Sequence, residues 1–172
     1  ATWEQLVNRA SRNCVFVKHG KMITGGYMIK THMLVVPNHF CMSDTTFEVR
    51  VREQNNENTY VSRANVSIEK SFYVPGTDMR IFYFPSGGDF KDMTKYFPAK
   101  LPSGTLGCSF IYRQRDGTLL KDNARLTFGQ QNVGNMSYYG AKYVFRRLTT
   151  FKGMCMGVFI GETKSPKIVG FH

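Results

Sequence analysis

Thr46-Phe47-Glu48-Val49-Arg50-Val51-Arg52 alternates apolar and charged side chains without a break. A period of two puts Phe47, Val49 and Val51 on one face and Glu48, Arg50 and Arg52 on the other, as in an antiparallel strand with one face on a core and one in water. Working outward, short runs rich in Val, Ile, Phe, Tyr and Thr recur on both sides. Towards the N-terminus they are Met33 to Pro37, Met22 to Ile29 and Cys14 to Lys18; towards the C-terminus they are Thr59 to Arg63, Val66 to Tyr73 and Met79 to Phe84. Only the start differs. Between Trp3 and Asn13 the residues Trp3, Leu6, Val7 and Ala10 follow helical spacing, with Thr2 placed to cap. The first half is therefore expected to be one short helix followed by about seven strands.

From Pro85 to Gly104 the pattern lapses into Ser-Gly-Gly, a Phe90 to Phe97 segment with one turn of helical character, and two further prolines, which is the composition of a linker. Strands resume at Thr105 to Arg113, with a turn at Asp116-Gly117. Thr118 to Lys121, Ala124 to Phe128, Lys142 to Leu148, Met156 to Ile160 and Lys167 to Phe171 follow. Two sets of strands at this spacing predict an all-β fold of two antiparallel six-stranded β-barrels with a short N-terminal helix. The expected division is residues 1–85, a linker over 86–104, and residues 105–172. The halves share no sequence repeat, so the duplication is read from layout.

At 172 residues, 42% of them hydrophobic and 14% aromatic, the chain can bury a core and is not disordered. No apolar run approaches a membrane span, and no basic-then-apolar leader precedes the helix. The balance of 23 Lys and Arg against 12 Asp and Glu gives a net charge of +11, which favours polyanions such as RNA but is spread along the chain. Four widely spaced cysteines without a CxxC pair fit a reducing compartment.

Thr150-Phe-Lys-Gly-Met-Cys-Met-Gly157 sets Cys155 in a glycine-flanked turn before an apolar strand. Such a turn can aim the consecutive N–H groups of Gly153, Met154 and Cys155 at one developing oxyanion. The same string also suits a buried structural thiol, so the reading depends on a base. A thiol attacks an amide usefully when a base takes its proton, and His39, at the end of the apolar run Met33 to Val36, is best placed among four histidines. His19, beside Gly20 in a hairpin turn, and His32, opening a strand, read as solvated. Asp78, in Gly76-Thr77-Asp78-Met79, is the carboxylate expected to orient that imidazole; Glu69 is the second choice. A zinc site built on His39 and Cys41 lacks further ligands at suitable spacing, and no metal or other cofactor is expected.

The order His39, Asp78, Cys155, with the nucleophile in the second β half, resembles the 3C-type proteases of picornaviruses and related positive-strand RNA viruses. The resemblance covers the N-terminal helix, Leu34-Val-Val-Pro-Asn-His-Phe40, Thr77-Asp-Met79, Phe90-Lys-Asp-Met-Thr-Lys95, Thr150 to Gly157 and Ile168-Val-Gly-Phe-His172. It implies a chymotrypsin-like fold and a cysteine endopeptidase that processes a viral polyprotein in the host cell cytoplasm. It further implies an S1 pocket in which Thr150 and His172 read a substrate Gln or Glu, and viral RNA binding through Lys91, Asp92 and Lys95. The chain departs from the pattern in having Met156-Gly157 where the family has Gly-Gly, which brings a Cβ into the turn around the oxyanion hole. It also stops at His172, where the family continues, so further C-terminal residues are expected. The alternative is a non-catalytic basic β-barrel that binds RNA. Neither reading specifies an oligomeric state.

Overall fold

A computed structural model describes residues 2–40, 46–52, 62–85, 89–100, 102–114, 117–147, 156–163 and 165–172. Helix α1 (Trp3–Arg12) opens the chain with the expected cap: Thr2 Oγ1 accepts from the Gln5 N–H while the Gln5 side chain returns to the Thr2 N–H, a reciprocal capping box. Twelve strands follow: β1 (Cys14–His19), β2 (Met22–Lys30), β3 (Met33–Pro37), β4 (Thr46–Arg52), β5 (Ser62–Ser67), β6 (Phe72–Val74), β7 (Met79–Tyr83), β8 (Thr105–Arg113), β9 (Leu119–Val133), β10 (Met136–Phe145), β11 (Val158–Gly161) and β12 (Lys167–Phe171).

They form two antiparallel sheets, ordered β5-β4-β1-β2-β3-β7-β6 and β10-β9-β8-β11-β12. The all-β, two-sheet architecture is as expected, but the strands divide seven and five among the described residues. Two sequence readings shift. Val66 to Tyr73 is broken by a turn in which the Lys70 and Ser71 N–H groups donate to Ser67 O and Ile68 O, because Glu69-Lys70-Ser71 has no apolar face to continue the strand. The runs expected at Thr118 to Lys121 and Ala124 to Phe128 instead merge, from Leu119 onward, into the single long β9, which turns at Gly134 (φ +58°) into β10. Strand β10 thus begins at Met136, before the expected Lys142, and the polar Gly129 to Asn132 run is held by hydrogen-bonded pairing with β10 rather than by burial. Thr59, Cys41 and Asp116 lie outside the described residues.

Each sheet curls round its own apolar cluster. Val17, Met28, Leu34, Val36, Val49, Val51, Phe82 and Phe84 fill the first; Phe110, Tyr112, Leu126 and Phe159 lead the second. A third cluster joins the sheets: Leu6, Ala10, Tyr27 and Val35 from the first half meet Ile111, Val158, Ile160 and Ile168 from the second. Each Leu, Ile or Val among them contributes about 1.5–3 kcal/mol on burial, so the sheets are welded rather than tethered. Arg113 strengthens the joint, with Nε donating to Cys14 O (2.8 Å) and Nη2 to Ser11 O (2.9 Å).

The stretch between the sheets is not slack either. Thr31 Oγ1 accepts from the Phe90 N–H and donates to Phe90 O. Asn13 Nδ2 donates to Lys91 O, the Met93 N–H donates to Ile29 O, and Met93 is fully buried.

Candidate active site

Strand β3 ends at Pro37, and the chain turns through a short 3-10 segment, Asn38–Phe40, whose Phe40 is anchored in the first core. This projects His39 outward, 63% exposed. The partner is supplied by the turn before β7. Gly76 takes φ +73°, Thr77 Oγ1 accepts from the Met79 N–H, and Tyr73 Oη donates to Thr77 O, fixing the backbone on either side of Asp78. Asp78 then holds the His39 turn three ways. Its main-chain O accepts from the Asn38 N–H (2.7 Å), Oδ1 accepts from the His39 N–H (3.1 Å), and Oδ2 lies 2.5 Å from His39 Nδ1. Arg80 Nε donates to Asn38 Oδ1 and steadies the same turn.

A carboxylate on Nδ1 keeps the ring proton there and leaves the Nε2 lone pair available as a base. Of the two acids weighed from the sequence, Asp78 is therefore the one that meets His39; Glu69 lies in the exposed turn after β5. The other histidines have structural employment. His19 Nδ1 bonds Glu48 O and His32 Nδ1 bonds Phe84 O, so the expectation that both are merely solvated is corrected: each is half-buried and ties a turn to a neighbouring main chain.

His172 sits on the second sheet among Phe110, Tyr143 and Phe159, its ring edge-on to Phe110 and to Tyr143. The Tyr143 hydroxyl is hydrogen-bonded to Nδ1. Burial holds the imidazole pKa below its ordinary value, so the ring is neutral at physiological pH. With Nδ1 accepting from the hydroxyl, the ring proton would sit on Nε2. The backbone of His172 is fixed as well, because its N–H donates to Gly157 O and its O accepts from the Met156 N–H, both at 2.8 Å.

Met156 adopts φ +67°, the left-handed region that favours glycine, and is 4% exposed. The backbone thus keeps a conformation suited to glycine while the Met side chain packs into the cluster between the sheets. Gly157 has no such latitude: a Cβ there would lie 2.2 Å from Phe110 Cζ. Thr150, Gly153, Met154 and Cys155 lie outside the described residues. The two described cysteines have chemistry unlike that of a nucleophile. Burial pushes Cys14 up to about 12, with Arg113 partly opposing, and pushes Cys108 to about 12, with Glu162 adding to the rise.

The solved structures that this arrangement matches share its plan. The structure of HRV-C 3C protein with rupintrivir is 16% identical over 98% of this chain and 89% of that one, with a TM-score of 0.63. Rv3671c from M. tuberculosis H37Rv, in an inactive form, is 12% identical over 90% and 72%, TM-score 0.59. The NS6 protease from murine norovirus 1 is 14% identical over 96% and 84%, TM-score 0.55. The chain has the chymotrypsin-like fold. No protein-family model and no curated protein matches it.

Two features went unread in the sequence, one beside His172 and one on the inter-sheet stretch. Tyr143 was visible only as a strand residue; its alternation with Phe145 marks the face that carries His172. Arg9 and Lys167 are far apart in sequence, yet with Lys95, Tyr96, Ser165 and Pro166 they line a cavity of ≈ 280 Å³ beside the inter-sheet stretch. Arg9 Nη1 donates to Tyr96 Oη and Lys167 Nζ to Lys95 O. Asp92, by contrast, spends its carboxylate on the Thr94 N–H and hydroxyl.

Proposed function

We propose that the chain is a cysteine endopeptidase of the 3C type, with Cys155 as nucleophile, His39 as base and Asp78 as orienting acid. The observation that carries the reading is the His39–Asp78 pair, with Oδ2 on Nδ1 and Oδ1 on the His39 N–H, on a chymotrypsin-like fold. His39 Nε2 takes the Cys155 proton, and the thiolate attacks the scissile carbonyl. The resulting oxyanion is received by the N–H groups of Gly153, Met154 and Cys155. Imidazolium then protonates the leaving amine, and water, deprotonated by His39, hydrolyses the thioester.

Neutral His172, donating from Nε2, suits a side-chain carbonyl oxygen, so with Thr150 it favours Gln, or Glu, before the scissile bond. A viral polyprotein in the host cell cytoplasm is the substrate and setting this reading takes from the family it resembles. Cys155→Ala tests it: cleavage of a Gln-containing peptide should vanish with the far-UV and near-UV spectra unchanged, and retained cleavage rejects the assignment.

RNA binding is a second reading, favoured by the basic cavity of Arg9, Lys95 and Lys167 next to Lys91 and by the +11 charge. It calls for RNA affinity that falls steeply with salt and weakens on Lys91→Gln and Lys95→Gln.

A further inference from the structure

We propose that Arg80 is a positioning residue for the His39–Asp78 pair, a role that rests on the protease reading above. His39 and Asp78 are both open to water, with side-chain exposures of 63% and 44%. A bond between two exposed side chains is weak, because water screens it and ordering both ends costs entropy. The pair therefore depends on how firmly the two turns that carry it are held.

Arg80 reaches both turns. Its Nε donates to Oδ1 of Asn38 (2.9 Å), the residue before the base. Across the β6–β7 ladder Arg80 stands opposite Tyr73, and its guanidinium carbon lies 5.7 Å from the centre of that ring. The Tyr73 hydroxyl donates to the main-chain O of Thr77 (2.6 Å), the residue before the acid. One guanidinium thus bears on the residue immediately ahead of each member of the pair.

The guanidinium is itself fixed at a further point. Nη1 donates to Ser71 Oγ (2.7 Å), and Ser71 Oγ gives its own proton to Ile68 O within the hydrogen-bonded turn after β5. A planar fork of donors with fixed angles can serve two acceptors and lie over a ring at once; a lysine ammonium, a point charge on a flexible stem, cannot. Orientation, rather than charge alone, is what Arg80 adds. Asp78 also bonds the His39 turn through its main-chain O and Oδ1, so loss of Arg80 loosens the pair without abolishing it.

The test compares Arg80→Ala, Arg80→Lys and Ser71→Ala with the parent in the full chain, with Asp78→Asn as the control for a broken pair. The first readout is the imidazole Nδ1 proton of His39, followed by NMR. Its exchange with water should quicken about tenfold in Arg80→Ala, as for the loss of one hydrogen bond from a charged donor. The second readout is peptide cleavage. Misplacing a reacting group by about an ångström costs about 100-fold, and with the Asp78 bonds still in place kcat per folded molecule should fall about tenfold, KM staying nearly constant. Arg80→Lys, which keeps the charge but not the fork, should fall between, and Ser71→Ala, which releases one arm, should lose about threefold. If Arg80→Ala does not fold, Arg80→Lys and Ser71→Ala carry the test with an expected loss of about threefold each. Unchanged imidazole exchange in these variants, or quickened exchange with kcat unmoved, overturns the proposal. A parent that cleaves no peptide would instead reject the protease reading, and imidazole exchange would still decide whether Arg80 positions the pair.

Discussion

The two described histidines of the candidate site are held in opposite ways. His39 stands on a tight turn of the first sheet, mostly exposed, and is aimed by the hydrogen bonds it donates to one acid. His172 lies on the second sheet inside an aromatic cage, and burial rather than a carboxylate sets its charge. A base has to gain and lose a proton each cycle, which solvent access and a charged partner permit. A recognition group has to keep one protonation state, which desolvation enforces. On the proposed reading, one residue type serves two chemistries because its surroundings differ.

The largest break in that contrast is at the acid. Asp78→Asn turns an amide towards His39 Nδ1 and favours the tautomer with its proton on Nε2, so kcat should fall about 1,000-fold or more in a peptide-cleavage assay while thermal stability barely moves. His172→Ala leaves the base untouched. It should lower kcat/KM for Gln-containing peptides about 100-fold and erase their advantage over Ala-containing ones. Its signature is lost selectivity with unchanged alkylation of Cys155, which separates it from the Asp78 variant.

Smaller effects sharpen the picture of the second sheet. Gly157→Ala drives a methyl into the Phe110 ring and should cost about 1–3 kcal/mol in urea unfolding. At Met156 two effects compete. Glycine would relieve about 1 kcal/mol of left-handed strain but forfeit a buried side chain worth about 2–4 kcal/mol, so Met156→Gly should destabilise on balance. The smallest effect is in pH. Above the ordinary histidine value of 6.5, His172 is neutral in both folded and unfolded chains. Below it the unfolded chain binds the proton first, so stability should decline until the folded imidazole titrates too, and His172→Phe should flatten that limb.

Much of this was legible in residue order. Strict alternation placed β4, and the apolar runs placed β3, β8 and β12 at their observed bounds, because burial on one face leaves a mark in every second residue. The pairing of His39 with Asp78 was also readable, since each sits at a strand edge beside a turn. The long β9–β10 ribbon was not: Gln130, Gln131 and Asn132 carry no apolar period, and their strand state comes from main-chain hydrogen bonds with a neighbour. Tyr143 escaped for a related reason. It matters through a residue 29 positions away, and such pairings follow from register rather than local composition.

The helix at the front of the chain has a consequence for how the fold is reached. Leu6 and Ala10 share one cluster with Tyr27 and Val35 and with Ile160 and Ile168, so part of the surface that buries α1 is synthesised long after it. Tyr27, Val35 and Ile111 offer part of its seat earlier, but the seat is complete only when β11 and β12 join the cluster, so the joint between the sheets is among the later features to assemble. On the proposed reading, a cleft across that joint would become competent only once β11 and β12 have docked, so the turn that pairs His39 with Asp78 can form before the site is complete.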